Sequence, residues 1–476
     1  MSSRARSPGL PNNDEAPSLP LETHEGIATV AVSSEWETAH LVSDSLRATI
    51  LRVALPAVAS SLLMTLFSSV DAFWVGTRIG SSALAAVSTS LFWIWMLISL
   101  AEMVGVGLTA IAARRLGERR PEEAARLSGD ATMFAVMLGG VVALAGSLVL
   151  PSLFSVMQMP ADVTALGIVY LRVYLIGTPL IYGFFGIDAA FRAAGDTRTP
   201  FLLLLASVAI TLVLDPILML GFGPIPALGI AGAAIATITT RGAAFVMGAV
   251  IASRRGLLSI GRIEWSRVWA VCRVGLPTAI TGVGFSLIYV FLTRTVTLFG
   301  TPALAAIGIG HRVESWLFMI GVGFGAATAA IVGQNLGAGR ADRASRAGWM
   351  ATGFCTLLGV GAFLLEFTMP RQFASLFTSD PAVIAESAKY LRIASVSQLA
   401  ICAEIVLEGA LGGAGETVPP MIASSAITIS RVPLAGWAAS RWGSTGIWWV
   451  ISLTAAGRGI AMATLWRIGR WKGKAV

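Results

Sequence analysis

The chain has 476 residues, 55% of them hydrophobic and only 13% charged, with a mean hydropathy of +0.77. A soluble chain carries about 25% charged residues, so roughly half the polar groups that a water-facing surface needs are missing, which excludes a soluble enzyme. The formal charge of +8 and pI near 10.0 could suit a nucleic-acid binder, but the basic residues form no polar domain and fit membrane topology better.

Residues 1–45 are polar, rich in Pro and Ser, and contain seven acids. They read as a disordered cytoplasmic tail. They have neither the apolar core of a secretory signal nor the acid-poor composition of a transit peptide. From Leu51 onward twelve apolar segments follow, each close to or longer than the ~20 residues that cross a bilayer core. Spans 1 to 6 are expected near 50–75, 84–112, 128–151, 163–193, 200–222 and 228–253. Spans 7 to 12 are expected near 268–296, 303–332, 349–369, 383–413, 420–439 and 445–468. Runs of this length lack the alternation of barrel strands, so the predicted fold is an all-α integral membrane bundle.

The loops set the orientation. Those after spans 2, 4, 6 and 8 hold Arg114, Arg115, Arg119, Arg120 and Arg126, then Arg192 and Arg198, then Arg254, Arg255, Arg262 and Arg267, then Arg340, Arg343 and Arg346. The opposite loops are almost bare, which predicts a plasma (inner) membrane protein with both termini cytoplasmic. With 31 Arg against three Lys, the coding is GC-rich, compatible with a bacterial membrane.

The strongest internal signal is a repeat. At an offset of 220, SALAAV from Ser82 matches PALAAI from Pro302, and ARRLGERRPEEAARL from Ala113 matches GQNLGAGRADRASRA from Gly333. Tyr170-Leu171-Arg172 recurs as Tyr390-Leu391-Arg392, and AFRAAGDTRTP from Ala190 as ALGGAGETVPP from Ala410. Ala54-Leu55-Pro56 and Arg241-Gly242 find partners in Gly275-Leu276-Pro277 and Arg458-Gly459. The expected organisation is a first six-helix lobe over 46–255 and a second over 256–476, parallel repeats with a cavity between them.

These stretches resemble the multidrug and toxic compound extrusion (MATE) family: VGQNLGAGRADRA after span 8, its counterpart after span 2, and AAGDTRTP and GAGETVPP after spans 4 and 10. The likeness runs from about Leu51 to Trp466 and implies two six-helix lobes. It further implies a secondary active exporter of amphipathic, often cationic compounds, driven by H+ or Na+, with no ATP site. The alternative within the same superfamily is a flippase for lipid-linked precursors, which would need cationic side chains in the cavity for pyrophosphate; Arg241 and Arg458 are the candidates.

Ionisable groups at membrane depth are costly and therefore functional candidates. Asp71 lies nineteen residues beyond Arg52 in span 1, about 28 Å along the helix, and Asp215 fifteen residues beyond Pro200 in span 5, about 22 Å. Two carboxylates of one lobe thus reach similar depth. Burial disfavours their charge, which suits a proton carrier, and their oxygens would equally suit sodium. The resemblance sharpens this: the DinF-like branch carries an acid late in helix 1 and an Asp-Pro pair in helix 5, matching Asp71 and Asp215-Pro216. Thr211, Thr237 and Thr240 are candidate hydroxyl partners, and Arg241 a candidate ion-pair partner of Asp215. Pro56 permits a kink in span 1, and relatives are thought to bend there when the nearby acid is protonated.

In the second half, Glu404 and Glu408 are one turn apart in span 10, and Glu408 corresponds to Asp188 of span 4; these three are candidates for a gate. Sodium-type members place acids in helices 7 and 10 of the second lobe, but span 7 here has none, which weakens a sodium site there. Glu314, His311 and Arg312 are expected to form a local polar cluster. Tyr182 and Phe285 are candidate cavity residues for a lipophilic cation. Cys272, Cys355 and Cys402 lie in apolar runs, and only one of the three histidines, His311, lies in the body, so no metal, disulfide or hydrolase constellation is available. The expected partners are a small-molecule substrate and lipid, not nucleic acid, with the protein acting as a monomer without a cofactor.

Overall fold

The computed structural model describes residues 38–156 and 160–474. Of the expected tail, residues 1–37 lie outside the described residues. Its last part is a correction to the sequence reading: Thr38–Ser43 form a helix, α1. Leu41 is buried at 6% exposure, packed with Ala327 and Ile331. The carbonyls of Leu41, Val42 and Asp44 accept hydrogen bonds from Asn335 Nδ2 (3.2 Å), Arg340 Nη1 (2.8 Å) and Arg343 Nη2 (2.5 Å). One apolar side chain and three paired carbonyls are enough to hold a segment whose composition alone reads as disordered.

Spans 1 to 6 are α2 (Leu46–Arg78), α3 (Ser81–Gly117), α4 (Pro121–Val156), α5 (Ala161–Ala193), α6 (Arg198–Leu220) and α7 (Ile230–Arg254). Spans 7 to 9 are α8 (Trp265–Thr297), α9 (Gly300–Gly337) and α10 (Ala341–Thr368), followed by the short α11 (Pro370–Ser375). Span 10 differs from expectation: it is α12 (Pro381–Ser395) and α13 (Gln398–Gly413), bent by 56°. Neither Pro nor Gly marks this break. The hydroxyls of Ser395 and Ser397 donate to the carbonyls of Arg392 and Ala394, both at 2.8 Å, and such local bonds compete with the helix ladder.

Spans 11 and 12 lie in α14 (Val418–Ile468), interrupted at Gly443 with φ 61° and ψ −148°, a conformation open to glycine. A 3₁₀ turn, Arg470–Gly473, ends the described chain. Ten helices among the described residues are long and apolar enough to cross a membrane, eleven with the bent pair as one span. The two arms of α14, 418–442 and 444–468, meet at this break, and each, about 37 Å at 1.5 Å per residue, is long enough to cross the bilayer core.

The repeat is visible in three dimensions. Thr197 Oγ1 donates to the Val53 carbonyl at 2.7 Å, and 220 residues on Thr417 Oγ1 donates to that of Val274 at 2.7 Å. The halves meet where α2 packs on α9 and α3 on α8. Glycine makes these crossings close: a Cβ at Gly323 would fall 2.5 Å from the backbone of Val58, and one at Gly107 or Gly275 would overlap the carbonyl of Val271 or Met103. Membrane helices pack in this way through small residues. At the arginine-rich end of the bundle, Gln334 Nε2 ties α9 to the Ala193 carbonyl of α5 at 2.7 Å.

Candidate functional site

The first half brings its two intramembrane acids together. Asp71 on α2 is 7% exposed and Asp215 on α6 is fully buried, and they lie within reach of each other's charge. Among the described residues, neither oxygen of Asp215 has a hydrogen-bond partner, nor does Oδ1 of Asp71. A buried carboxylate with no donor is expensive, so Asp215 is the least satisfied group of the region. Pro216, the residue after it, removes one backbone donor from that turn.

The expected hydroxyl partners are close in sequence but occupied. Thr211 Oγ1 and Thr240 Oγ1 lie 2.7 Å apart, one donating to the other, and the carbonyls of Ser207 and Ala236 on their own helices lie 2.7 and 2.9 Å from them. Thr237 is half-buried, and its carbonyl accepts from Thr240 at 3.2 Å. The threonines therefore pin α6 to α7 beside the acids. Arg241 does not pair with Asp215: its Nη2 donates to Met64 Sδ on α2 at 2.8 Å.

The sequence reading missed Tyr170. It is buried on α5 and feels the charge of both Asp71 and Asp215. The repeat offered the signal, since Tyr170 and Tyr390 hold equivalent places. Pro56 lies inside an unbroken α2, with Ser60 Oγ bonded to its carbonyl at 3.0 Å. It is two residues from Val58, where Gly323 of the other half presses on α2.

The gate candidates sit in a second polar region that joins the halves. Asp188 pairs with Arg192 of the same helix at 3.2 Å, and Glu404 on α13 with Arg458 on α14 at 2.9 Å. Glu408 and Glu102 of α3 share this field with Arg458 and Arg192 respectively. Arg458 also lies over the ring of Phe285, 5.6 Å from its centroid, and Phe285 contacts Tyr289 at 4.6 Å. Phe285 thus stands at an aromatic and cationic corner of α8. Tyr182 is held inside the first half, its hydroxyl donated to the Leu97 carbonyl at 2.6 Å.

Several known proteins are similar to this chain. The sequence profile of the MatE family matches twice, over residues 56–217 and again over 277–437, in register with the internal repeat. A probable multidrug resistance protein NorM from Thermotoga maritima is 29% identical over 402 residues, 82% of this chain and 85% of that protein. An FAD transporter from Shewanella oneidensis is 28% identical over 354 residues, 72% of this chain and 77% of its own. Among solved structures, a MATE protein in the straight conformation superposes with a TM-score of 0.83 at 23% identity, over 91% of this chain and 97% of that one. A MOP superfamily transporter from Pyrococcus furiosus gives 0.84 at 21% identity, over 92% and 99%.

Proposed function

The chain belongs to the MatE family of membrane transporters, and from that premise we propose that it is a secondary active exporter of amphipathic, cationic compounds that takes up H+ in exchange. It works as a single chain in the bacterial inner membrane, both termini cytoplasmic, without a cofactor, by alternating access between its halves. The observation that carries the reading is Asp215, fully buried with both oxygens unpartnered beside Asp71. Such a pair is stable at membrane depth when a proton neutralises it, so loading and release of that proton change the energy of the first half. Pro56 gives α2, which carries Asp71, a place to respond by bending.

A proton fits the pair because, among the described residues, no side chain donates to Asp215, and protonation neutralises a buried carboxyl without any further ligand. A proton falling through about 100 mV supplies about 2.3 kcal/mol, which sustains a roughly fiftyfold gradient of a neutral substrate; for a monovalent cation exchanged one for one the charges cancel and the pH difference alone drives export. The flippase alternative gains no support: Arg458 is engaged by Glu404, Arg431 by Tyr289 and Thr454, and Arg241 by Met64, so these arginines are not gathered as a free set for pyrophosphate.

The test is transport in proteoliposomes. A pH gradient should drive ethidium movement, and Asp215→Asn or Asp71→Asn should abolish it. The reading fails if both variants transport as the wild type does, or if only a sodium gradient drives transport.

A further inference from the structure

A second set of polar groups lies in the other half, among α8, α9, α10, α12, α13 and α14, with Glu366, Tyr390, Gln398 and Arg431 buried and Tyr289, His311 and Glu314 half-buried. Tyr390 on α12 donates to Glu314 on α9 at 3.0 Å. Gln398, the first residue of α13, donates to both oxygens of Glu366 on α10, at 2.9 and 3.2 Å. Arg431 on α14, 1% exposed, donates to Tyr289 Oη on α8 at 3.1 Å and to Thr454 Oγ1 at 2.9 Å. His311 stacks edge-on between the rings of Tyr289 and Tyr390, with centroids 4.8 and 6.4 Å away, and its buried Nε2 has no partner. The expected Arg312 faces outward and takes no part.

Three features make this more than a braced core. The first is charge. Glu314 lies in the field of Glu366 and in that of the Arg431 guanidinium. Glu404, also in the field of Arg431, is already matched by Arg458. Two carboxylates against one guanidinium leave one charge without a counter-ion, with Glu366 buried at 3% exposure, and a bound proton removes it.

The second is mechanical. The two acids grip opposite sides of the 56° bend, Glu314 through Tyr390 on α12 and Glu366 through Gln398 on α13. The third is position: Tyr390 is the repeat counterpart of Tyr170, which stands beside Asp71 and Asp215 in the first half.

We propose that Glu314 and Glu366 form a second proton site, which works the bend between α12 and α13 and raises the exchange to two protons per substrate, one on each half. These acids come from spans 8 and 9, not from spans 7 and 10, where sodium-type members of the family the sequence resembles place theirs. The inference rests on the proton-driven export proposed above.

The experiment is static-head accumulation of ethidium in proteoliposomes with the membrane potential clamped at zero. A roughly tenfold proton gradient then balances a substrate gradient of about a hundredfold with two protons and about tenfold with one. The wild type should reach the former, and Glu314→Gln and Glu366→Gln the latter. A wild type at about tenfold, or Gln variants that keep the hundredfold ratio, overturns the second site and leaves proton-driven export standing; absence of any proton-driven accumulation removes both. Should the Gln variants fail to fold, Tyr390→Phe keeps both acids. Counted as protons released when ethidium is added to detergent-solubilised protein, Tyr390→Phe should still release two per chain but with the pH midpoint of one displaced, and an unchanged profile overturns the proposal.

Discussion

Glu404 and Arg458 form the most enclosed ion pair between membrane helices in the second half, 2.9 Å apart with side chains 8% and 13% exposed. At an effective dielectric of about 20, two unit charges at this separation attract by about 6 kcal/mol. Glu404→Gln removes that attraction and leaves Arg458 buried, but Glu408, one turn along α13, lies in the same field and recovers part of the loss. The expected cost is about 3 kcal/mol, the lower end for breaking a buried pair. For a chain of this size that corresponds to a fall of about 3 °C in Tm, measurable by thermal unfolding in detergent. Glu408→Gln alone should be neutral or slightly stabilising, because Glu408 is repelled by Glu404 and Glu102. In Glu404→Gln/Glu408→Gln the substitute is gone, and the double variant should lose at least about 1 kcal/mol more than the sum of the single changes. Additive losses, or a Glu404→Gln protein melting within about 1 °C of wild type, would refute the reasoning.

The duplicated threonine ties predict matched effects. Thr197→Ala and Thr417→Ala each remove one buried hydroxyl bond of 2.7 Å and should each cost about 1 kcal/mol; unequal shifts in thermal unfolding would mean that the two ties differ in function. Gly275→Leu forces a side chain into the Met103 carbonyl of α3 and should prevent the halves from closing, seen as loss of the monodisperse peak in size-exclusion chromatography. Leu41→Asp places a charge in the buried site of α1 and should cost about 3 kcal/mol, checked by the same thermal assay; an unchanged melting temperature would contradict the packing of α1.

The helices were readable because a bilayer imposes length and apolarity on every span, and the register of the repeat survived in short motifs. The α12–α13 break was not readable, since serines make it and serine is common inside helices. Asp71 and Asp215 stood out because little else ionisable lies in their helices. Arg431 and Glu366 did not. Glu366 lies three residues before the end of its predicted span, where an acid reads as a boundary charge, and Arg431 has partners 142 and 23 residues away, a proximity that only the packing creates. Tyr170 carried a sequence signal in its repeat partner Tyr390, but one that pointed to symmetry rather than to chemistry.

The short helix α1 has an energetic consequence. It touches the turn after α5 through Leu41 and Gly195, and α9 and the start of α10 through its carbonyls. Parting the halves at this end means withdrawing one leucine, about 2 kcal/mol, and three hydrogen bonds at about 1 kcal/mol each. A wedge worth about 5 kcal/mol shifts a two-state population by a few thousandfold. A short segment ahead of the first membrane helix, α1 with Asp44, therefore contributes to keeping this end of the bundle together as much as a buried ion pair does.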